Sequence, residues 1–308
     1  MWHKVVVSLL SRPLAVAALI VAVACGSASS ADAPIKLHIG VHASFVLSGG
    51  GSVWATDPVL NRVVRVDPAA NRIRARLGVP GYPFGLAFGS GSLWVGSRYG
   101  DQVTRFNART NKRQARIHVG SAPYALAFGA GAVWVTNENS GTVSRIGLKR
   151  NKVVKTIRVG GRPNGIAFAF GSVWVADYGR GRLLRVNPAR NTISGRIDIP
   201  KADWITRSGG SLWVSSETGK VYRVDPATLA VSATVTVGAN PLASAAIGGE
   251  LWVPNIDAGT VSVLDTAANS VTRTIEVGKS PIAVASAAGA AWVSSEEDGD
   301  LWRLSASG

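Results

Sequence analysis

Seven tryptophans, Trp54, Trp94, Trp134, Trp174, Trp213, Trp252 and Trp292, recur at intervals of 40, 40, 40, 39, 39 and 40 residues. Self-similarity at a fixed period of this length marks a repeat architecture, in which one supersecondary unit is copied and packed against its neighbours. The typical unit reads: a Gly-x-x-Pro turn, a short apolar strand, a Gly turn, a Leu/Val-Trp-Val strand, a Gly/Asn/Asp loop, an Arg-bearing strand, an Asn turn and a β-branched strand. Four strands in forty residues predict an all-β chain, a seven-bladed β-propeller with four antiparallel strands per blade. In blade three the strands are expected at 124–129, 132–136, 142–146 and 152–159, separated by Gly129-Ala130-Gly131 and Asn139-Ser140-Gly141. Glycine and asparagine suit such hairpins because they reach positive φ at low cost. Val133, Trp134 and Val135 are apolar on both faces, as in a strand sandwiched between neighbours. With 35 glycines and only 17% charged residues, the chain does not suit a coiled coil or a helical solenoid.

The chain ends supply a check on this reading. The last repeat stops after Leu301 to Leu304 with no fourth strand, whereas Ile35 to Gly40 precedes the first inner strand, with Gly40 fourteen residues before Trp54 as Gly120 is before Trp134. The N-terminal strand is therefore expected to close the last blade, giving a propeller over 35–308 without an open seam.

Ahead of it, Lys4 and Arg12 precede twelve apolar residues, Pro13 to Ala24, too few to span a bilayer and matched to the core of an export signal. Residues 1–24 read as a signal peptide. Ala22-Val23-Ala24 followed by Cys25 has the form of a lipobox, so Cys25 is expected to carry lipid and 25–34 to be a flexible tether. Cleavage after Ala24 or Ala31 with free secretion, or an uncleaved anchor, are the alternatives. Each makes the chain exported, as a bacterial cell-envelope lipoprotein or a secreted protein. The lone cysteine excludes an internal disulfide.

Trp134-Val135-Thr136-Asn137 with Gly141-Thr142-Val143-Ser144-Arg145-Ile146, and Val261-Ser262-Val263-Leu264-Asp265-Thr266-Ala267 with Val277-Gly278, resemble the YVTN repeat family over about residues 35–304. The resemblance implies an extracytoplasmic propeller used for interaction or ligand binding. Propellers of the NHL-repeat and virginiamycin B lyase types are distantly similar. The lyase type implies a catalytic His, a Glu and magnesium in the later blades. This chain has His3, His38, His42 and His118 and none beyond, so that chemistry has no histidine to carry it.

No phosphate loop, nucleophile elbow or paired Cys ligand set is present, and no catalytic residue, metal or cofactor is expected. Glu296-Glu297-Asp298-Gly299-Asp300 lacks the alternating ligand pattern of a calcium loop and reads as a solvated hairpin. In a propeller, the loops entering the inner strands and those joining second to third strands share one face, around the channel mouth. The residues opening the inner strands are expected to be Ser44, Phe84, Tyr124, Asn164, Trp204, Leu242 and Ile282. Around them fall Asp57, Arg98, Tyr99, Asn137, Glu138, Asp177, Tyr178, Glu217, Asn255, Asp257 and Glu296. Aromatic, Arg and carboxylate groups in one concavity suit a protein, peptide or glycan ligand, with Phe84, Leu242 and Ile282 alternatively plugging the channel. A second reading is a metal-dependent lyase or lactonase using Asp177, Glu217 or Glu296.

Residues 25–207 hold 26 basic and 8 acidic residues, whereas residues 208–308 hold 5 and 10. The basic blades one to four are expected to face an anionic membrane or cell-wall surface. Nucleic acid is not expected, because basic and aromatic residues do not interleave. The closed ring is expected to act as a monomer.

Overall fold

The computed structural model describes residues 33–306. The expected signal segment 1–24, Cys25 and most of the 25–34 tether lie outside the described residues. The chain folds as a seven-bladed β-propeller of seven four-stranded antiparallel sheets. In blade three Pro123–Gly129 is innermost, followed by Ala132–Asn137, Thr142–Gly147 and, at the outer edge, Lys152–Arg158. Antiparallel order puts the first-to-second and third-to-fourth turns of every blade on one face, here the turn face. The second-to-third loops and the crossovers to the next blade form the other, the mouth face.

The last blade is built from both ends of the chain. Ile35–His38 is its outer strand, antiparallel to Asp300–Ser305, with Ile35 opposite Arg303 and Leu37 opposite Leu301. The closure is tied by Ile39 N–H to the Gly299 carbonyl at 2.9 Å, by Arg62 Nη2 to the Ile39 carbonyl at 2.8 Å, and by the Asp300 carboxylate against Lys36 at 3.3 Å and His38 Nδ1 at 2.9 Å.

All seven repeat tryptophans are fully buried on the second strands. Opposite most of them on the third strand stands an arginine, as in the Trp94–Arg105 and Trp134–Arg145 pairs. The Arg105 guanidinium lies 4.6 Å from the centroid of the Trp94 ring. It also reaches into the next blade, donating from Nη1 to the Leu148 carbonyl at 3.0 Å and to Asn151 Oδ1 at 2.8 Å. Arg65 holds Ala108 and Asn111, Arg145 holds Pro188 and Asn191, and Arg223 holds Thr266 and Asn269 in the same way. The asparagines are needed because the turn enters the left-handed region there, at φ 60° for Asn111 and 47° for Asn151.

The blades are thus fastened by charge-assisted hydrogen bonds as well as by apolar packing. Arg105→Ala is expected to cost about 2–3 kcal/mol in urea unfolding, from the lost hydrogen bonds to Ser92, Leu148 and Asn151 and the ring contact. Arg105→Lys should recover only part, since an ammonium lacks the planar fork that meets two acceptors at once.

Candidate functional site: the channel mouth

Counting from each tryptophan organises the mouth. The residues ten positions earlier are Ser44, Phe84, Tyr124, Asn164, Asp203, Leu242 and Ile282, and all seven are buried. Trp204 is therefore not the ring residue of blade five. The register confirms this: Ala202 pairs with Ser216 as Pro163 pairs with Asp177, which makes Asp203 the counterpart of Asn164. Asn164 Nδ2 donates to Asp203 Oδ1 at 3.1 Å along the ring.

One residue deeper, the chain places Phe45 and Trp204 where the other blades have Gly85, Ala125, Gly165, Ala243 and Ala283. The glycines belong there because a side chain has no room. A Cβ on Gly85 would lie 2.2 Å from the Tyr124 carbonyl oxygen. The two large rings fill the space left by the five small residues, with centroids 5.0 Å apart. Phe84 packs against Phe45 at 4.6 Å and against Tyr124 at 4.9 Å. This aromatic cluster plugs the channel. Trp204 lies half-buried and lines the cavity of about 390 Å3 at the turn-face end, with Phe168, Thr206 and Ala246 among its neighbours.

Above the plug the residues four after each tryptophan, among them Arg98, Glu138, Tyr178, Glu217 and Glu296, are joined to a ring that sequence reading missed, twelve before each tryptophan. That ring contains His42, Tyr82, Arg162 and Lys201. Buried Glu138 accepts from Arg98 at 2.5 Å on one side and from Arg162 on the other. Arg98 also covers the faces of Phe84 and Tyr124, at 5.4 and 5.2 Å. Tyr178 donates its phenol proton to Glu217 and accepts from Lys201 Nζ at 3.1 Å. Its ring lies beneath both Lys201 and Arg162, at 4.4 and 5.4 Å. Between these loops opens a depression of about 440 Å3 lined by Arg162, Tyr178, Gly179, Gly181, Pro200 and Lys201. Tyr99, 74% exposed, leans on Tyr82 at 4.8 Å as a second aromatic surface. Ser44 Oγ donates to Glu296 Oε1 at 2.5 Å, and Asp257 stands exposed at its loop tip.

Four expected mouth residues are built into the blades instead. Asp57, Asn137, Asp177 and Asn255, three after their tryptophans, are fully buried. Asn137 Nδ2 donates to Thr142 and Ser144 at 3.0 and 2.9 Å, and Asn255 to Thr260 and Ser262 likewise. Asp177 accepts from Arg182 Nε at 2.9 Å and from the Arg162 backbone N–H at 3.1 Å, while Asp57 pairs with Arg62 at 3.2 Å. Each is tied to the third strand of its own blade, Asp177 also to the crossover at Arg162, and burial keeps all four from a ligand.

Burial sets the electrostatics of the plug. It pushes the Asp203 carboxyl up from 3.8 to about 7; Glu217 and Glu138 add to the rise, and the Asn164 hydrogen bond and Arg162 oppose it. The Tyr124 phenol is held well above its ordinary value, chiefly by burial and then by Asp203. Lys201 is raised by the Tyr178 hydrogen bond and Arg162 by the Glu138 hydrogen bond, so both remain cationic.

The carboxylates do not converge. Asp177, Glu217 and Glu296 are engaged by Arg182, Tyr178 and Ser44 respectively. In the acidic hairpin Glu297 accepts from Ser280, Asp298 from the Lys279 N–H and Ser295, and Asp300 is held at the closing strand. Among the described residues no group of three or more His, Cys, Asp or Glu side chains is placed to hold a metal ion. This donor set does not fit a divalent cation. His38 and His118 are exposed on outer strands, apart from the mouth.

Fold and site together define a propeller with a plugged channel and a polar, aromatic mouth. No family model matches the chain, and no curated protein matches it. Among solved structures, a streptogramin B lyase superimposes with a TM-score of 0.78 at 16% identity, covering 88% of this chain and 96% of that one. Hydrazine synthase from Kuenenia stuttgartiensis superimposes with a TM-score of 0.77 at 13% identity, covering 88% and 97%. Two proteins of such different names share this fold, so the likeness carries architecture and no activity.

Proposed function

We propose that the protein is a non-catalytic binding propeller whose channel mouth recognises a protein loop, a peptide or a glycan, and that it acts outside the cytoplasm. The observation that carries the reading is the depression beside Tyr178, an aromatic ring flanked by the cations Arg162 and Lys201, with Tyr99 exposed on the same face. A partly exposed aromatic supplies contact area at low entropic cost, and fixed cations supply charge-assisted hydrogen bonds to carbonyl, hydroxyl or carboxylate oxygens. Because the channel is plugged, a ligand rests on this surface and does not thread the ring. The extracytoplasmic placing rests on the sequence of residues 1–25.

The test is crosslinking capture from the envelope fraction of the source organism, together with a glycan array. The full chain is compared with a Tyr99→Ala/Arg162→Ala/Tyr178→Ala variant and with a turn-face variant. Loss of one defined ligand by the mouth variant alone, with a drop in affinity of about 100-fold, is the expected result. Equal capture by both variants would place the ligand elsewhere and end this reading.

A further inference from the structure

The mouth accounts for one face of the ring, and part of the chain's most one-sided stretch of charge lies on the other, the rest being on the outer strands. Residues 81–160 hold 12 Lys and Arg against two acids, Asp101 and Glu138. Glu138 is buried between Arg98 and Arg162 at the mouth, and Asp101 Oδ1 accepts from the Ala122 N–H at 2.9 Å. The third-to-fourth turns of blades two, three and four carry Arg109, Lys112, Lys149, Arg150 and Arg190, all exposed.

The turns that present these cations are fixed in place. Arg65 grips the Ala108 carbonyl and Asn111 at 2.7 and 2.9 Å, Arg105 grips Leu148 and Asn151, and Arg145 grips Pro188 and Asn191. The equivalent turns of blades one, five and six read Pro68-Ala69-Ala70, Pro226-Ala227-Thr228 and Thr266-Ala267-Ala268, with no cation, although exposed Arg72 stands in blade one where Lys112 stands in blade two. Their aspartates Asp67, Asp225 and Asp265 accept from the backbone of the same turns. In blade one Asp67 also pairs with Arg74, so the cationic region is narrower than the charge count over blades one to four implies. The first-to-second hairpins on the same face, such as Gly49-Gly50-Gly51 and Gly129-Ala130-Gly131, are uncharged.

We infer that this crescent of turns is a docking face for the anionic phospholipid headgroups of a bilayer, leaving the mouth directed away from the surface. Cations on three successive turn tips of one face meet several headgroups together, and their attractions add. A single-stranded nucleic acid is a poorer match, because none of the three turns carries an aromatic residue on which a base could stack.

The experiment is co-sedimentation of the full chain with vesicles of phosphatidylcholine alone or with about 30% phosphatidylglycerol, at about 0.1 M and about 0.5 M salt. An Arg109→Glu/Lys149→Glu/Arg150→Glu variant is compared with Arg180→Glu/Lys220→Glu/Lys279→Glu, which makes the same charge change at exposed sites outside these turns. Unchanged thermal transitions confirm that both variants fold. The turn variant is expected to lose about tenfold or more in partition to the anionic vesicles at the lower salt, the control less than about twofold. Salt should release the wild-type chain. An equal loss in both variants would reduce the effect to net charge, and no loss in the turn variant would remove the face from binding. Duplex DNA that strips the chain from vesicles at equal phosphate concentration would make it a nucleic-acid surface. Each of these overturns the proposal.

Discussion

A chain lacking Ile35 to Ile39 is expected to lose its cooperative unfolding transition and to aggregate. The deleted strand buries Ile39 in the main core and pairs Leu37 against Leu301. Burying each such side chain stabilises by about 1.5–3 kcal/mol. The deletion also unmakes the backbone ladder along Asp300–Ser305 and removes Lys36 and His38 from the Asp300 carboxylate, which is nearly buried. The combined loss is of the size of a whole domain's stability, about 5–15 kcal/mol. The exposed third strand would present a row of unpaired N–H and C=O groups to other molecules. Removing residues 26–32 instead should shift the midpoint of thermal unfolding by no more than about 2 °C. Calorimetry on the three chains decides it, and a single sharp transition in the chain lacking Ile35 to Ile39 would show that blade seven holds with three strands.

The closure was legible because it depends on spacing, and spacing survives substitution. The mouth was half-legible for a related reason. Five blades mark the ring with a preceding proline, Pro83, Pro123, Pro163, Pro241 and Pro281, but blade five has Ala202 there. Without that marker the eye falls on Trp204, although ten back from Trp213 gives Asp203. The ring twelve before each tryptophan is hidden in the sequence because His42, Tyr82, Arg162 and Lys201 share no residue type. Counting finds them; similarity does not. Asp57, Asn137, Asp177 and Asn255 failed for another cause. A polar residue at a loop edge looks the same in sequence whether it faces solvent or is tied inward to the third strand of its own blade, and only the partners Arg62, Thr142, Arg182 and Thr260 distinguish the two. The aromatic plug needed the fold outright, since Phe45 and Trp204 come from blades one and five and meet only across the closed ring.

Replacing Asp203 by Asn is expected to stabilise the protein at pH 8 by on the order of 4 kcal/mol and to leave it unchanged near pH 4. In the folded protein burial keeps the carboxyl protonated up to about 7, whereas the unfolded chain releases the proton near 3.8. Between those values the folded state holds more protons than the unfolded one, so wild-type stability falls as pH rises through the window and levels off above it. Each unit of separation is worth 1.36 kcal/mol. Asparagine stays neutral throughout and keeps an oxygen for the Asn164 amide, now 3.1 Å from Asp203 Oδ1, so the variant should lose the slope without losing the hydrogen bond. Urea unfolding of both proteins from pH 4 to pH 8 measures the difference directly. Diverging curves would establish a neutral acid in the plug, held so by the aromatic cluster that also closes the channel. Parallel curves would mean that Arg162, which opposes the rise, outweighs burial and that the floor of the mouth carries a fixed negative charge. A ligand presenting a cation to the mouth would then meet Asp203 as an attractive group, whereas over a neutral plug it would find its opposite charges in the loop carboxylates Glu217, Asp257 and Glu296.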